Sequence, residues 1–277
     1  MKKKIFALLA VATIVALMPS SVLYGQDIKG ELTPEIRWRI ENGTLFISGQ
    51  GVVPTTMLGQ QSAWNNYRSR FHAVNIEEGI TFIGQNVFVS YKNITSLTVG
   101  GSVKELAPSS FNSCKKLMTV EVKGAIPPDI NMATFYKVKL KKAKLIVPAG
   151  TIATYKADPL WNKFGVIEES TQPPTVQPAP VASLATPCVI HLKRTSNFVG
   201  GAVSLKVFLN GQEASMKLGN AQTILLETDR DQNLLYLQYG KTPIVVRRFD
   251  ATAGGDIRIE YSHFYGYMKI LEDNIDE

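Results

Sequence analysis

Apolar positions recur at fixed phase from Val74 to Glu168. The strand-like starts Val74, Leu97, Val120 and Leu145 lie 23, 23 and 25 residues apart, and Phe88, Phe111 and Phe135 follow at 23 and 24. Ile83, Leu106 and Ile130 keep the same step. Within each start the apolar residues alternate, so Val74 and Ile76, Leu97 and Val99, Val120 and Val122, Leu145 and Val147 point to one core. A segment of this length cannot bury its hydrophobic face alone, so successive copies must stack. The pattern predicts a narrow parallel sheet, three or four strands wide.

A period in the low twenties is the signature of a leucine-rich-repeat type solenoid. Such a stack needs its ends closed. Ahead of it, Ile36–Ile40 and Leu45–Gly49 alternate around Asn42-Gly43, a hairpin signal because both turn residues must accept positive φ. A glycosylation sequon at Asn42-Gly43-Thr44 is the weaker reading. Trp64, Tyr67 and Phe71 have the spacing of one helical face and predict a short capping helix. Tyr155, Trp161 and Phe164 would close the far end, with a carbohydrate-stacking platform as the alternative.

Residues 169–187 hold five prolines and no periodic apolar face, which predicts an extended spacer between independent domains. Beyond it come short alternating runs: Val189–Lys193, Val203–Leu209, Thr223–Thr228, Leu234–Tyr239, Ile244–Phe249, Ile257–Tyr261 and Tyr267–Leu271. Asn210-Gly211 marks another tight hairpin. The fold class is therefore mainly β: a short, capped solenoid over residues 26–168, then a small antiparallel β-sandwich over residues 188–277.

Two resemblances can be read from these motifs. The order W-x-I-x-N-G-T-L-x-I-S-G-x-G, then A-W-x-x-Y, then V-x-I-x-x-G-I-T-x-I-G-x-x-x-F resembles the BspA-like leucine-rich repeat family of bacterial surface and secreted proteins. The next repeat keeps L-x-V-x-x-S-V-x-x-L-A-x-x-x-F-x-x-C-x-x-L, and the ending L-I-V-P-A-G-T-x-x-x-Y is similar to the family's terminal repeat. The likeness covers about residues 30–168. Leu106-Ala107 departs from the usual Ile-Gly, and the third repeat is interrupted at Ile126-Pro127-Pro128 and lacks the Cys. The resemblance implies adhesion to host matrix or to other cells. Residues 190–240 resemble a small PEGA-like domain of exported bacterial proteins, which implies a fold and no activity.

If a ligand uses the sheet, it meets the outward positions. These are Asn75, Thr98, Glu121 and Ile146 in one row, Glu77, Gly100, Lys123 and Pro148 in a second, and Ser96, Thr119 and Lys144 just before the strands. The competing reading is a merely solvated sheet. A lysine cluster at Lys137, Lys139, Lys141, Lys142 and Lys144 offers either an acidic-glycan site or the wet side of an extended segment. The ligand-binding candidates are thus Asn75, Glu77, Ser96, Thr98, Thr119, Glu121, Lys123, Lys139, Lys141 and Lys142. Tyr261, His263, Phe264, Tyr265 and Tyr267 crowd the last strand, as core and edge or as a sugar-stacking surface.

Charge and leader change the picture in two ways. Lys2–Lys4, the apolar run Ile5–Met18 and the polar stretch to Gly25 read as a cleavable secretory signal over residues 1–25, too short to span a membrane. No cysteine follows the run, so no lipid anchor is expected, and the product is secreted, periplasmic or on the cell surface. Without the leader's three lysines, 27 basic groups face 23 acidic ones, and the excess sits in the lysine cluster. A local patch on an exported protein does not suggest nucleic acid as partner; a protein or glycan on a host or neighbouring cell fits better, and a carbohydrate-binding or cell-envelope scaffolding protein is the alternative.

Candidate chemistry is sparse. His72, His191 and His263 are scattered, and no nucleophile elbow, phosphate loop or metal-spaced cysteine pair occurs. The reading is a non-catalytic protein with no cofactor or metal, although a distant carboxylate pair is invisible to spacing. Cys114 takes the inward phase of Tyr91 and Val138, which favours a buried thiol, while an oxidising compartment leaves pairing with Cys188 open.

Overall fold

The computed structural model describes residues 28–57, 60–175, 181–196, 203–262 and 267–271. The expected leader lies outside the described residues, as do His263, Phe264 and Tyr265. The strands β1 (Ile28–Thr33), β2 (Ile36–Glu41) and β3 (Thr44–Gly49) form an antiparallel meander, followed by the short β4 (Gly51–Val53). Asn42 and Gly43 take φ of 47° and 75°, the left-handed pair a two-residue hairpin turn needs.

The repeats contribute β5 (Ala73–Ile76), β6 (Ile80–Ile83), β7 (Ser96–Val99), β8 (Glu105–Leu106), β9 (Thr119–Val122) and β10 (Lys144–Val147). Helix α1 (Ile152–Ala157) and β11 (Val166–Glu169) complete this unit. One sheet runs β1-β2-β3-β5-β7-β9-β10-β11, and a smaller parallel sheet runs β4-β6-β8. The main sheet has eight strands, twice the expected width. The hairpin is the reason at one end: β3 pairs parallel with β5, so Leu45 and Ile47 continue the core phase of Val74 and Ile76. At the other end β11 pairs parallel with β10.

An aromatic column runs the length of the core. Trp64 stacks on Phe88 at 5.4 Å, Phe88 on Phe111 at 5.0 Å, and Phe111 on Phe135 at 5.7 Å. Trp38 meets Trp64 edge-on at 6.2 Å, and Trp161 meets Phe135 at 5.9 Å, so both ends are closed by rings. The expected helix over Trp64–Phe71 is instead a single 3-10 turn at Asn65–Tyr67. The aromatics there face different neighbours rather than one side: Trp64 and Phe71 are buried, while Tyr67 lies on Trp38 and is 38% exposed.

The C-terminal part comprises β12 (Ser183–Arg194), β13 (Lys206–Leu209), β14 (Gln212–Glu213), β15 (Thr223–Arg230), β16 (Gln232–Tyr239), β17 (Thr242–Asp250), β18 (Asp256–Ser262) and β19 (Tyr267–Leu271). Two four-stranded sheets, β15-β12-β18-β19 and β14-β13-β16-β17, enclose a second core around Ile190, Leu192, Val207, Leu235, Leu237 and Ile259. Asn210 and Gly211 take φ of 52° and 85° at the expected hairpin. One departure from a purely antiparallel sandwich is the parallel pairing of β12 with β18.

Strands β16 and β17 of the second sheet bury apolar residues on both faces. Along β16, Leu235 and Leu237 enter the sandwich core, while the alternate Leu234 and Tyr236 pack against the core of the repeats. Val246 of β17 is buried in that same repeat core. The edge of β17 is also covered: Asn131 bridges Val245, and the Met132 amide donates to the Ile244 carbonyl at 3.1 Å. The proline-rich stretch does not begin as a free spacer either. Gln172 and Thr175 run back over the strand ends, where Thr175 N donates to Lys123 O at 3.1 Å and its hydroxyl to Glu78 at 2.8 Å. β12 then starts at Ser183, inside the expected spacer.

Candidate binding surface

Strand register assembles the outward positions into continuous rows. Lys29, Arg39, Phe46, Asn75, Thr98, Glu121, Ile146 and Glu168 stand side by side, one from each strand. At ~4.8 Å between strands the row is roughly 34 Å long. A parallel row holds Thr44, Ala73, Ser96, Thr119, Lys144 and Val166. Asn75, Thr98, Glu121, Ser96 and Thr119 are all part-exposed. The second expected row is reduced, because Gly100 and Pro148 are buried and leave Glu77 and Lys123.

Electrostatics differ along the row. At the near end Arg39 lies over the Phe46 ring at 4.2 Å and pairs with Glu41 at 2.9 Å and Glu77 at 3.0 Å. Burial lowers the Arg39 pKa, but Glu77 and Glu41 outweigh it and hold it above its ordinary value. At the far end Lys144 pairs with Glu168 at 2.8 Å. Between these locked ends the centre is polar, with one carboxylate, Glu121, that has no ion-pair partner among the described residues. Such a centre can exchange hydrogen bonds with a partner without first breaking an ion pair.

The remaining candidates lie outside the strand register. Lys139 precedes a 3-10 turn that carries Lys141 and Lys142, just ahead of β10, and all three are exposed. The extended alternation expected there is absent, because Lys137 is left-handed with φ 63° and the chain then turns. The register groups Asn75, Thr98 and Glu121, and separately Ser96 and Thr119; it does not bring the lysines to them.

Both cysteines are free and buried, each in a different core. Burial pushes the Cys114 thiol up to about 12, and its Sγ lies 3.1 Å from the Phe88 carbonyl. His191 pairs with Asp256 at 2.9 Å, and His72 is exposed beside the first hairpin. Among the described residues no three His, Cys, Asp or Glu side chains gather as a metal site. Nor is any described helix long and apolar enough to cross a membrane.

One dense cluster of ion pairs was not anticipated from sequence. Glu105, Asp129 and Asp158 of the repeats meet Arg247 and Arg248 of β17. It sits directly after Ile126-Pro127-Pro128, the interruption in the third repeat. There the Gly124 and Pro128 carbonyls accept from Tyr155 Oη at 2.7 Å and Trp161 Nε1 at 2.8 Å. A second sequence signal was available in Leu234–Leu237 and Ile244–Val246, where apolar residues occupy both phases, as in a strand buried on both faces.

Stacked coils that each give one strand to a parallel sheet and one phenylalanine to a central column define a leucine-rich-repeat solenoid. Residues 60–155 match the family model for BspA type leucine rich repeat regions, in six copies, and repeats of this type are typical of surface and secreted proteins. A leucine-rich repeat protein of known structure from Eubacterium ventriosum is 20% identical over 53% of this chain, with a TM-score of 0.33. The match spans 41% of that protein's length. No curated protein matches the chain. The PEGA-like resemblance of residues 190–240 stays a likeness of sequence alone.

Proposed function

We propose that this is a non-catalytic exported or cell-surface protein that recognises another macromolecule, in the first place a protein, through the outer face of its main sheet. The observation that carries the reading is the row from Arg39 to Glu168. It has ion-paired ends and an open centre of Asn75, Thr98 and Glu121, while the sandwich docks elsewhere, through Glu105, Asp129 and Asp158. Eight strands make the row roughly 34 Å long, which a three-strand sheet could not offer. The type of repeat supports a surface or protein-binding role. Acidic glycan would instead engage Lys139, Lys141 and Lys142, which lie on the turn before β10 and not in the row.

A photo-crosslinking residue placed at Thr98 of the full chain tests this against one placed at exposed Lys217 in the sandwich. Thr98 should yield discrete protein adducts in the surrounding medium of the producing cells, and Lys217 should not. Equal labelling from both positions would reject the sheet as the site.

A further inference from the structure

The small parallel sheet has its own outward row, Val52, Phe82 and Glu105, set by the register of β4, β6 and β8. Val52 is 50% exposed and Phe82 part-exposed, so this row begins as an apolar shelf. It ends against the docked sandwich, whose β17 and β19 supply Arg247, Met268 and Lys269 as a wall. Shelf and wall enclose a groove of about 220 Å³, with Ala107 and Pro108 in its lining. Neither half of the chain forms it alone.

We propose that this groove is a second binding site, which takes a segment of another polypeptide carrying a carboxylate next to a large apolar side chain. Charge favours the carboxylate. Among the described residues Glu105 is the one acidic group in the groove, and Arg247 already engages it at 2.6 Å. Lys269 is exposed and has no ion-pair partner among the described residues, and the Arg247 Nε finds no acceptor there. The lining thus keeps one uncompensated positive charge beside Phe82 and Met268. A carboxylate arriving there gains a charge-assisted contact, whereas an ammonium meets repulsion.

Size favours a peptide. Pockets that enclose whole small molecules run from about 300 to 1,000 Å³. This groove is smaller, and its apolar floor continues outward to Val52, so it suits one or two side chains of a chain that extends past it. It is also distinct from the main sheet: its lining comes from β6, β8, β17, β19 and the loops after β4, β6 and β8, and none belongs to the row of Asn75, Thr98 and Glu121.

The test uses the full chain and fluorescently labelled dodecapeptides in which Asp or Glu alternates with Leu or Phe, beside Asn and Gln counterparts, read by anisotropy. The acidic peptides should bind saturably and the amide counterparts at least tenfold more weakly. Lys269→Glu should weaken binding tenfold or more, and Phe82→Ala severalfold, with thermal midpoints close to wild type because both side chains are partly in solvent. A variant with Asn75, Thr98 and Glu121 changed together should bind these peptides as wild type does. The proposal is overturned by absent saturation, by equal binding of the amide peptides, or by undiminished binding in Lys269→Glu. Loss of binding in the sheet variant alone would place the peptide on the main sheet and equally overturn it.

Discussion

Arg248 grips Asp129 twice across 119 positions of chain: its Nη1 donates to Oδ1 at 2.8 Å, and its backbone amide donates to Oδ2 at 2.8 Å. Its other Nη reaches Asp158. The two carboxylates are 7% and 1% exposed, so they depend on this guanidinium for compensation. Removing one partner of a buried ion pair costs about 3–5 kcal/mol, because a charge is left behind without its counterion. We therefore expect Arg248→Met to destabilise the whole chain by an amount of that order in urea unfolding. Arg247→Met should cost less, since Glu105 is 23% exposed and water can take the place of the lost donor.

The same junction sets a pH dependence. Two arginines face three carboxylates, and the surplus negative charge is buried. Burial pushes the Asp129 carboxyl up to about 6 against the pull of Arg248, and it raises Glu105 as well. Burial would lower Arg248, but Asp129 and Asp158 more than offset it and hold the guanidinium firmly charged. The folded protein thus binds the Asp129 proton more tightly than an unfolded chain does. Its contribution to stability is full below the unfolded value of 3.8 and is lost as pH rises through about 6. Asp129→Asn should flatten stability against pH over that window, as measured by urea midpoints in steps of half a pH unit.

Glu78 acts in the opposite sense. Burial pushes its carboxyl up, but hydrogen bonds from Gly101, Thr175 and Ser102 outweigh that and hold it below its ordinary value. Its contribution is present above the unfolded value and is lost as pH falls through the depressed one. Because Thr175 is one of the donors, Glu78→Gln should loosen the stretch that runs back over the strand ends. Hydrogen exchange at the Thr175 amide should speed up while that of the β7 amides holds.

Phe111 sits between Phe88 and Phe135 and is fully buried. Phe111→Ala would open a cavity in the middle of the column and should cost about 3–5 kcal/mol. Phe111→Leu, which restores most of the volume, should recover a large part of that loss in the same unfolding assay.

The solenoid was legible because its signal is periodic. Val74, Leu97, Val120 and Leu145 are all buried strand residues, and Phe88, Phe111 and Phe135 form the column their spacing implied. Both Asn-Gly hairpins follow from turn geometry alone. The width of the sheet was not legible, because whether Leu45 and Ile47 join Val74 and Ile76 is a matter of strand pairing and not of spacing. The helix over Trp64–Phe71 failed because aromatic spacing alone does not distinguish one helical face from a turn whose rings reach separate neighbours.

The docked sandwich was hidden for a different reason. Ion pairs such as Arg248 with Asp129 join residues far apart in the chain, and the proline content between them favoured an open spacer. The apolar residues on both phases of β16 and β17 were the local trace of that contact. For the candidate surface, alternation assigned Asn75, Thr98 and Glu121 to the outside, whereas the ion pairs of Arg39 with Glu77 and of Lys144 with Glu168 required the fold.

The most direct test of the sheet as recognition surface is a parallel capture from the surrounding medium of the producing cells, with the full wild-type chain and with Asn75→Lys, Thr98→Lys and Glu121→Lys combined. Circular dichroism melting should show the variant folded, since all three side chains point out of the sheet. The account predicts that the proteins retained by wild type are lost from the variant by at least tenfold. Capture of the same proteins at the same level would contradict it.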